Sequence, residues 1–246
     1  MLKFLGILLL TTVCWCRTSE IPVDAAVSVI VELAKVFRVG GVFLLASREQ
    51  VPVIQWANIS ANLSRNKIPT AIMSLKSALY TPVLLDWPTL YVMFSAGFDI
   101  SALQQLSSLP GLSIPLWLLF FEEEQTVEEF FGDVHIPFNC RFLVAQLDGD
   151  MIQLLEVYRV TRHFALTIAQ YGVWKDGALI DYKLNFYDGR NNLQGFTMTA
   201  ISMDSLPYSD LREENGTYVL GGSMAPLWKM LEDRLNFTYV TTDKLD

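Results

Sequence analysis

The chain has 246 residues, a formal net charge of −8 and 52% apolar residues. The acidic balance excludes nucleic acid as a predicted partner, because no basic patch is present to neutralise phosphates. The apolar content can supply a hydrophobic core, and the length predicts one full domain and part of a second.

The first residues have the pattern of a secretory signal peptide. A lysine precedes an apolar run from Phe4 to Val13, and the small or polar residues Thr18 and Ser19 follow. The alternative is a membrane anchor, but the run is about half of the roughly 20 residues that a spanning helix needs. We therefore expect residues 1–19 to be a signal peptide, and the mature chain to lie in the secretory pathway and on the extracellular side of the plasma membrane.

Helix and strand patterns alternate in the next part of the chain. Apolar spacing predicts helices at 23–38, 53–66, 99–109 and 122–131. Apolar runs predict strands at 42–46, 71–75, 90–94, 116–121 and 139–147. Alternation of this kind, with continuously apolar strands, indicates an α/β fold with a largely parallel sheet and helices on both faces.

The alternation of helix and strand patterns ends at about Met151. Segments 152–160 and 166–174 are typical of two paired strands, and Lys175-Asp176-Gly177 is typical of a turn. Residues 188–192 are polar and rich in turn formers, so we place a domain boundary there and predict one α/β domain over 20–190.

A second unit follows, over residues 191–246. We predict a strand at 195–201, a loop with an Asn215-Gly216 turn, and a helix that ends near Asn236. The helix has one apolar face, formed by Met224, Leu227, Trp228, Leu231 and Leu235. We expect this unit to be the beginning of a larger structure, because five such side chains cannot offset the conformational entropy of ordering about fifty residues.

The residues offer no recognisable catalytic constellation. Cys140 is the single cysteine after the predicted signal peptide, so it either pairs with a partner elsewhere or is a buried free thiol. The only histidines are His135 and His163, and nothing in the sequence brings either beside Cys140 as a dyad requires. Asp148-Gly149-Asp150 begins like a calcium loop, but Ile152 stands where a third oxygen ligand belongs. We predict no catalytic residue, no metal site and no cofactor.

Four asparagines precede the Ser or Thr of an N-glycosylation triplet. They are Asn58, Asn62, Asn215 and Asn236. One such triplet is a weak signal, but four behind a signal peptide support secretion. We predict that Asn58, Asn62 and Asn215 can carry glycans; at Asn236 the alternative is a triplet at a helix end that is never modified.

Three segments of the second unit carry a family resemblance. They are NLQGFTMTA (192–200), NGTYVLGG (215–222) and LWKMLEDRLNFTY (227–239), in this order and spacing. The stretch resembles the start of the ligand-binding domain of ionotropic glutamate receptors, in particular the divergent ionotropic receptors of arthropod chemosensory cells. Upstream, IPFNCRFLVAQ, LEVYRV and YGVW look like the amino-terminal domain that precedes it. Where the family commonly has an acidic residue after the glycine before the helix, this chain has Ser223-Met224-Ala225.

The resemblance implies a periplasmic-binding-protein-like parallel-sheet domain, followed by the start of a clamp-type ligand-binding lobe. In such receptors a small-molecule ligand sits between two lobes, and closure of the lobes acts on a pore. The resemblance places the second lobe, the ligand-binding arginine and the membrane segments downstream of this sequence, and it implies co-receptor subunits. It leaves ligand-binding residues within this chain unknown. Two alternatives remain: a secreted α/β small-molecule binding protein, and a secreted α/β enzyme whose site is not visible in the sequence.

Overall fold

The structure, a computed structural model, describes residues 20–46, 53–80, 88–96, 100–107 and 110–242. The predicted signal peptide and Asp99, the predicted N-cap of a helix, lie outside the described residues. The described chain forms one sheet of eight strands and one of four.

The eight-stranded sheet is mostly parallel. Its strands are β1 (Gly41–Ala46), β2 (Thr70–Ser74), β3 (Thr89–Phe94), β4 (Leu116–Phe121), β5 (Arg141–Asp148), β6 (Met151–Tyr158), β7 (Thr167–Lys175) and β8 (Ala178–Ile180). They lie in the order β2-β1-β3-β4-β5-β6-β7-β8, in which the first five are parallel and the last three antiparallel to their neighbours. The predicted α/β class, the largely parallel sheet and the paired strands after Met151 are confirmed.

Helices cover both faces of this sheet. They are α1 (Val23–Val36), α2 (Val53–Arg65), α3 (Leu75–Tyr80), α4 (Ile100–Leu106) and α5 (Val127–Phe130). Alternate residues of each central strand join opposite cores: Leu118 of β4 packs with α1 and α2, while Trp117 and Leu119 pack with α3, α4 and α5. Burial on both faces explains why these strands are continuous apolar runs.

The start that we predicted for the helix over 122–131 is wrong. The helix α5 begins only at Val127, because Thr126 and Glu129 form a reciprocal capping box. The Thr126 hydroxyl accepts the amide of Glu129 at 3.2 Å, and a Glu129 carboxylate oxygen accepts the amide of Thr126 at 2.9 Å. Glu122 instead accepts the amide of Ile21 at 2.9 Å, and burial raises the pKa of this carboxyl.

A buried ion pair fixes residues 183–190 on the eight-stranded sheet. The Arg190 side chain is 1% exposed and pairs with Glu156 of β6, which is 0% exposed. Arg190 also donates to the carbonyls of Phe138 and Cys140, and the ammonium of Lys183 lies 2.7 Å from the second carboxylate oxygen of Glu156. The guanidinium carbon of Arg190 also lies against four aromatic rings, at 4.4–5.8 Å from their centroids: Phe138, Tyr158, Phe186 and Tyr187.

The four-stranded unit follows directly. It contains β9 (Phe196–Ile201), β10 (Asp210–Glu214), β11 (Thr217–Gly221), α6 (Met224–Leu235) and β12 (Phe237–Thr242). The strand order is β10-β11-β12-β9, with β12 parallel to β9 and the other pairs antiparallel. No described helix, here or in the first sheet, has the length and apolar character to cross a bilayer. The domain boundary at 188–192 stays a prediction.

Candidate functional site

The four-stranded unit contains a hairpin where the sequence predicted a loop. The strands β10 and β11 pair antiparallel on either side of Asn215 and Gly216. These two residues have φ angles of 53° and 77°, and positive φ at both central positions is the geometry of the tight turn that matches strand twist. The Asn-Gly pair was therefore the sequence signal for a hairpin. The predicted strand at 195–201 and the helix that ends at Asn236 are confirmed.

Helix α6 packs on the sheet, and Trp228 makes aromatic contacts with β12. The ring of Trp228 is 6.3 Å from that of Phe237 and 5.6 Å from that of Tyr239, both on β12. Asn236 ends the helix in a left-handed conformation with φ 50°, which is typical of a helix C-terminus. No residue of α6 is buried, so the sheet covers the predicted apolar face of the helix only in part.

Apolar side chains are concentrated on the exterior of this unit. Of the fourteen large apolar side chains that are exposed among the described residues, nine lie between positions 201 and 240. They are Ile201, Met203, Leu206, Tyr208, Val219, Met224, Leu227, Met230 and Val240. We call these nine the apolar surface of the four-stranded unit. By contrast, Leu220 and Phe237 are the only described apolar residues there that are buried.

The apolar surface extends over both sides of the unit. On α6, Leu227 is 45% and Met230 is 65% exposed, and the two are three residues apart on one side of the helix. On the sheet, Ile201 of β9 and Val240 of β12 alternate with residues that face α6. Large exposed apolar patches are typical of surfaces that contact another structure.

Among the described residues, few contacts join this unit to the eight-stranded sheet. The Gln194 amide donates to the Thr167 hydroxyl at 3.2 Å, and the ring of Phe164 lies 6.3 Å from that of Phe196. The apolar surface is therefore not buried against the first sheet.

The four predicted glycosylation sites lie in the described chain. Asn58 is exposed on α2, and Asn215 is exposed in the hairpin turn. Asn62, one helical turn after Asn58, is partly buried and its amide oxygen accepts a hydrogen bond from Arg65 at 2.8 Å. The Asn236 amide nitrogen donates to Asn192 at 2.9 Å. Their modification stays a prediction.

The candidate catalytic residues do not form a nucleophilic site around Cys140. Cys140 is buried and unpaired with any other cysteine, which favours the buried-thiol alternative. Its sulfur lies 3.4 Å from the carbonyl oxygen of Leu112, and burial raises the pKa of the thiol to about 12. A thiol of this kind supplies almost no thiolate at neutral pH. Asp148 and Asp150 flank the turn between β5 and β6, and no metal-binding group of His, Cys, Asp or Glu occurs in the part of the chain that the structure describes.

Comparisons with known proteins leave the family open. No protein-family model matches the chain, and a search of the curated proteins finds no significant match.

Proposed function

We propose that this chain is the extracellular amino-terminal region of a ligand-gated ion channel of the chemosensory ionotropic-receptor type. In this proposal the eight-stranded domain is the periplasmic-binding-protein-like amino-terminal domain. The four-stranded unit is then the beginning of the first lobe of a clamp that binds a small-molecule ligand. The pore and the membrane segments belong to downstream sequence, and co-receptor subunits complete the assembly.

One observation carries the proposal: the apolar surface of the four-stranded unit. A unit with two buried apolar residues and nine exposed ones has too little core to stand alone, because folding must offset about 1–2 kcal/mol of backbone entropy for each ordered residue. The remaining strands and helices of a clamp lobe would cover this surface. The order of the NLQGFTMTA, NGTYVLGG and LWKMLEDRLNFTY segments favours the receptor class over other proteins with two lobes.

Sequencing the transcript beyond the codon for Asp246 tests the gene-level part of the proposal. We expect an open reading frame with apolar segments of about 20 residues, the length of a membrane-spanning helix. A stop codon directly after Asp246 in every transcript would refute it.

Hydrogen exchange tests the physical part in the chain as it is. We expect fast exchange of the amides of α6 and slow exchange in β4 and β5, whose residues lie in the core of the first sheet. In the full-length product α6 should become strongly protected. Slow exchange across Leu227–Leu235 in the present chain would show that the unit is complete, and the proposal would lose its support.

The alternative of a secreted α/β small-molecule binding protein is favoured by a different observation, a polar cavity in the eight-stranded domain. An apolar surface that stays uncovered, together with a ligand in that cavity, would favour this alternative.

A further inference from the structure

A polar cavity lies in the eight-stranded domain, outside the four-stranded unit. It has a volume of about 530 Å³ and is lined by α4, the loop after α5 and the loop after β6. Its lining includes Ser101, Gln104, Gln105, His135, Arg159 and Arg162. Sites for small molecules commonly enclose about 300–1,000 Å³, so the volume suits a ligand of modest size.

Positive charge is concentrated in this cavity, although the chain as a whole has a net charge of −8. Arg159 and Arg162 both line it, and Asp133 is the one acidic residue among its described lining. The Arg159 guanidinium donates to the carbonyl oxygens of Phe164 at 2.8 Å and of Phe131 at 2.9 Å. Carbonyl groups fix the position of this guanidinium but do not neutralise its charge, so the cavity keeps a net positive character.

Two buried nitrogen atoms of the lining have no hydrogen-bond partner among the described residues: Nε of Arg159 and Nδ1 of His135. Buried polar atoms in folded proteins nearly always have a partner, so these two nitrogen atoms are places where a bound water or ligand would form hydrogen bonds. Burial, and then the charges of Arg162 and Arg159, lower the pKa of His135. The ring is therefore neutral at pH 7 and lies within the field of two guanidinium groups, where a negative charge is favoured.

We propose that this cavity binds a small organic anion, a carboxylate with a polar body. The carboxylate lies between Arg162 and His135, because a guanidinium group binds a planar carboxylate through two parallel hydrogen bonds. The hydroxyl or amide groups of the ligand face Gln104, Gln105 and Ser101. This site does not depend on the receptor assignment, because it lies entirely within the eight-stranded domain.

The anion and the protonation of His135 are linked. The charges of Arg162 and Arg159 act on the ring, and Asp133 lines the same cavity. A bound carboxylate adds a negative charge that raises the pKa of His135 above its value in the free protein. Binding then takes up a proton in the window between the two pKa values. Affinity consequently rises as the pH falls through that window, by about tenfold for each pKa unit that the ligand adds.

Nuclear magnetic resonance of the histidine rings tests the site, because the chain has only His135 and His163. The probe is malate, a hydroxylated dicarboxylate, with inorganic phosphate and sodium chloride at equal ionic strength as comparisons, and His163→Gln assigns the two signals. We expect malate to shift the His135 signal saturably and to raise its pKa. We expect His163 to stay unchanged, since it does not line the cavity.

The variant Arg162→Met supplies the specificity test, since Arg162 is an exposed side chain and its loss should leave the fold intact. We expect the malate affinity to fall by at least about tenfold, as for the loss of a charge-assisted bidentate contact. Arg234→Met on α6 is the matched control and should bind malate normally. The proposal is overturned if malate leaves His135 unchanged, if sodium chloride reproduces its effect, or if Arg162→Met binds as the native chain does. Saturable binding of phosphate without binding of malate would overturn the carboxylate class.

Discussion

Replacing Arg190 by methionine should destabilise the eight-stranded domain strongly. Methionine keeps an apolar stem among the aromatic rings but removes the charge and all hydrogen-bond donors. The change leaves the fully buried carboxylate of Glu156 without its partner from Arg190, and it leaves the carbonyls of Phe138 and Cys140 without their guanidinium donors.

The size of the destabilisation depends on which partners of Glu156 remain. Removal of one member of a buried ion pair costs about 3–5 kcal/mol, because the other charge stays buried and uncompensated. Here the ammonium of Lys183 remains 2.7 Å from Glu156 and keeps part of the compensation. We therefore expect the free energy of unfolding to fall by about 3 kcal/mol. This is a large fraction of the free energy of unfolding of a typical domain, which is about 5–15 kcal/mol. Adding Glu156→Gln should recover about 1–2 kcal/mol, because no anion is then left buried beside the methionine.

Urea unfolding followed by tryptophan fluorescence measures these differences, since Trp117 lies in the core of the first sheet. Arg212→Met is the matched control: Arg212 pairs with Asp210 on the exposed hairpin, and its loss should leave the midpoint of the main urea transition unchanged. The reasoning is refuted if Arg190→Met shifts that midpoint no more than Arg212→Met does. It is also refuted if the second substitution brings no recovery.

Three further outcomes are expected. Gly172→Ala should destabilise the protein by about 1–3 kcal/mol, since a Cβ there would lie 2.7 Å from Cβ of Tyr182. Gly41→Ala, whose nearest contact would be 3.6 Å away, should have a much smaller effect, and equal urea midpoints for the two variants would contradict this. Cys140 should resist iodoacetamide in the native state from about pH 7 to 9, because the pKa of the buried thiol is raised to about 12. In urea the same thiol should react. Mass spectrometry measures the labelling, and rapid labelling of the native protein would contradict this prediction. The thiol of the unfolded chain loses its proton near its usual pKa of 9.0 and the native one does not, so this group lowers stability as the pH rises above that value. In a secretory host, endoglycosidase should reduce the mass of the native chain, and Asn→Gln variants at the acceptor positions should show which sites carry glycans. An unchanged mass would count against both secretion and exposure.

The parallel part of the first sheet could be predicted because its strands are buried on both faces. Segments such as 116–121 are continuous apolar runs, and that pattern is compatible with few other environments. The start of α5 could not be placed from the acidic residues at 122–124, which are typical of a first helical turn. The capping box at Thr126 decided it, and this motif is visible in the sequence.

Tertiary contacts account for most of what the sequence did not predict. Glu156 is the one acidic residue of β6 and is fully buried there, but its partner Arg190 is 34 residues away. The hairpin strand β10 contains Asp210, Arg212 and two glutamates, a composition with low strand propensity, so its pairing with β11 decides its conformation. The polar cavity brings together residues of α4 and of the loops after α5 and β6, and no local pattern links these segments.

Strand β9 lies at one edge of the four-stranded sheet, and within the described chain it pairs with β12 alone. Its sequence, Phe196-Thr-Met-Thr-Ala-Ile201, has no charge and no proline, whereas β10 at the opposite edge carries several charges. An uncharged edge with free backbone amides and carbonyls can add a strand from another molecule. In concentrated solution this chain should consequently self-associate through β9. A lysine in place of the exposed Thr199 should reduce that association without changing the eight-stranded domain, and light scattering at increasing concentration would measure the difference.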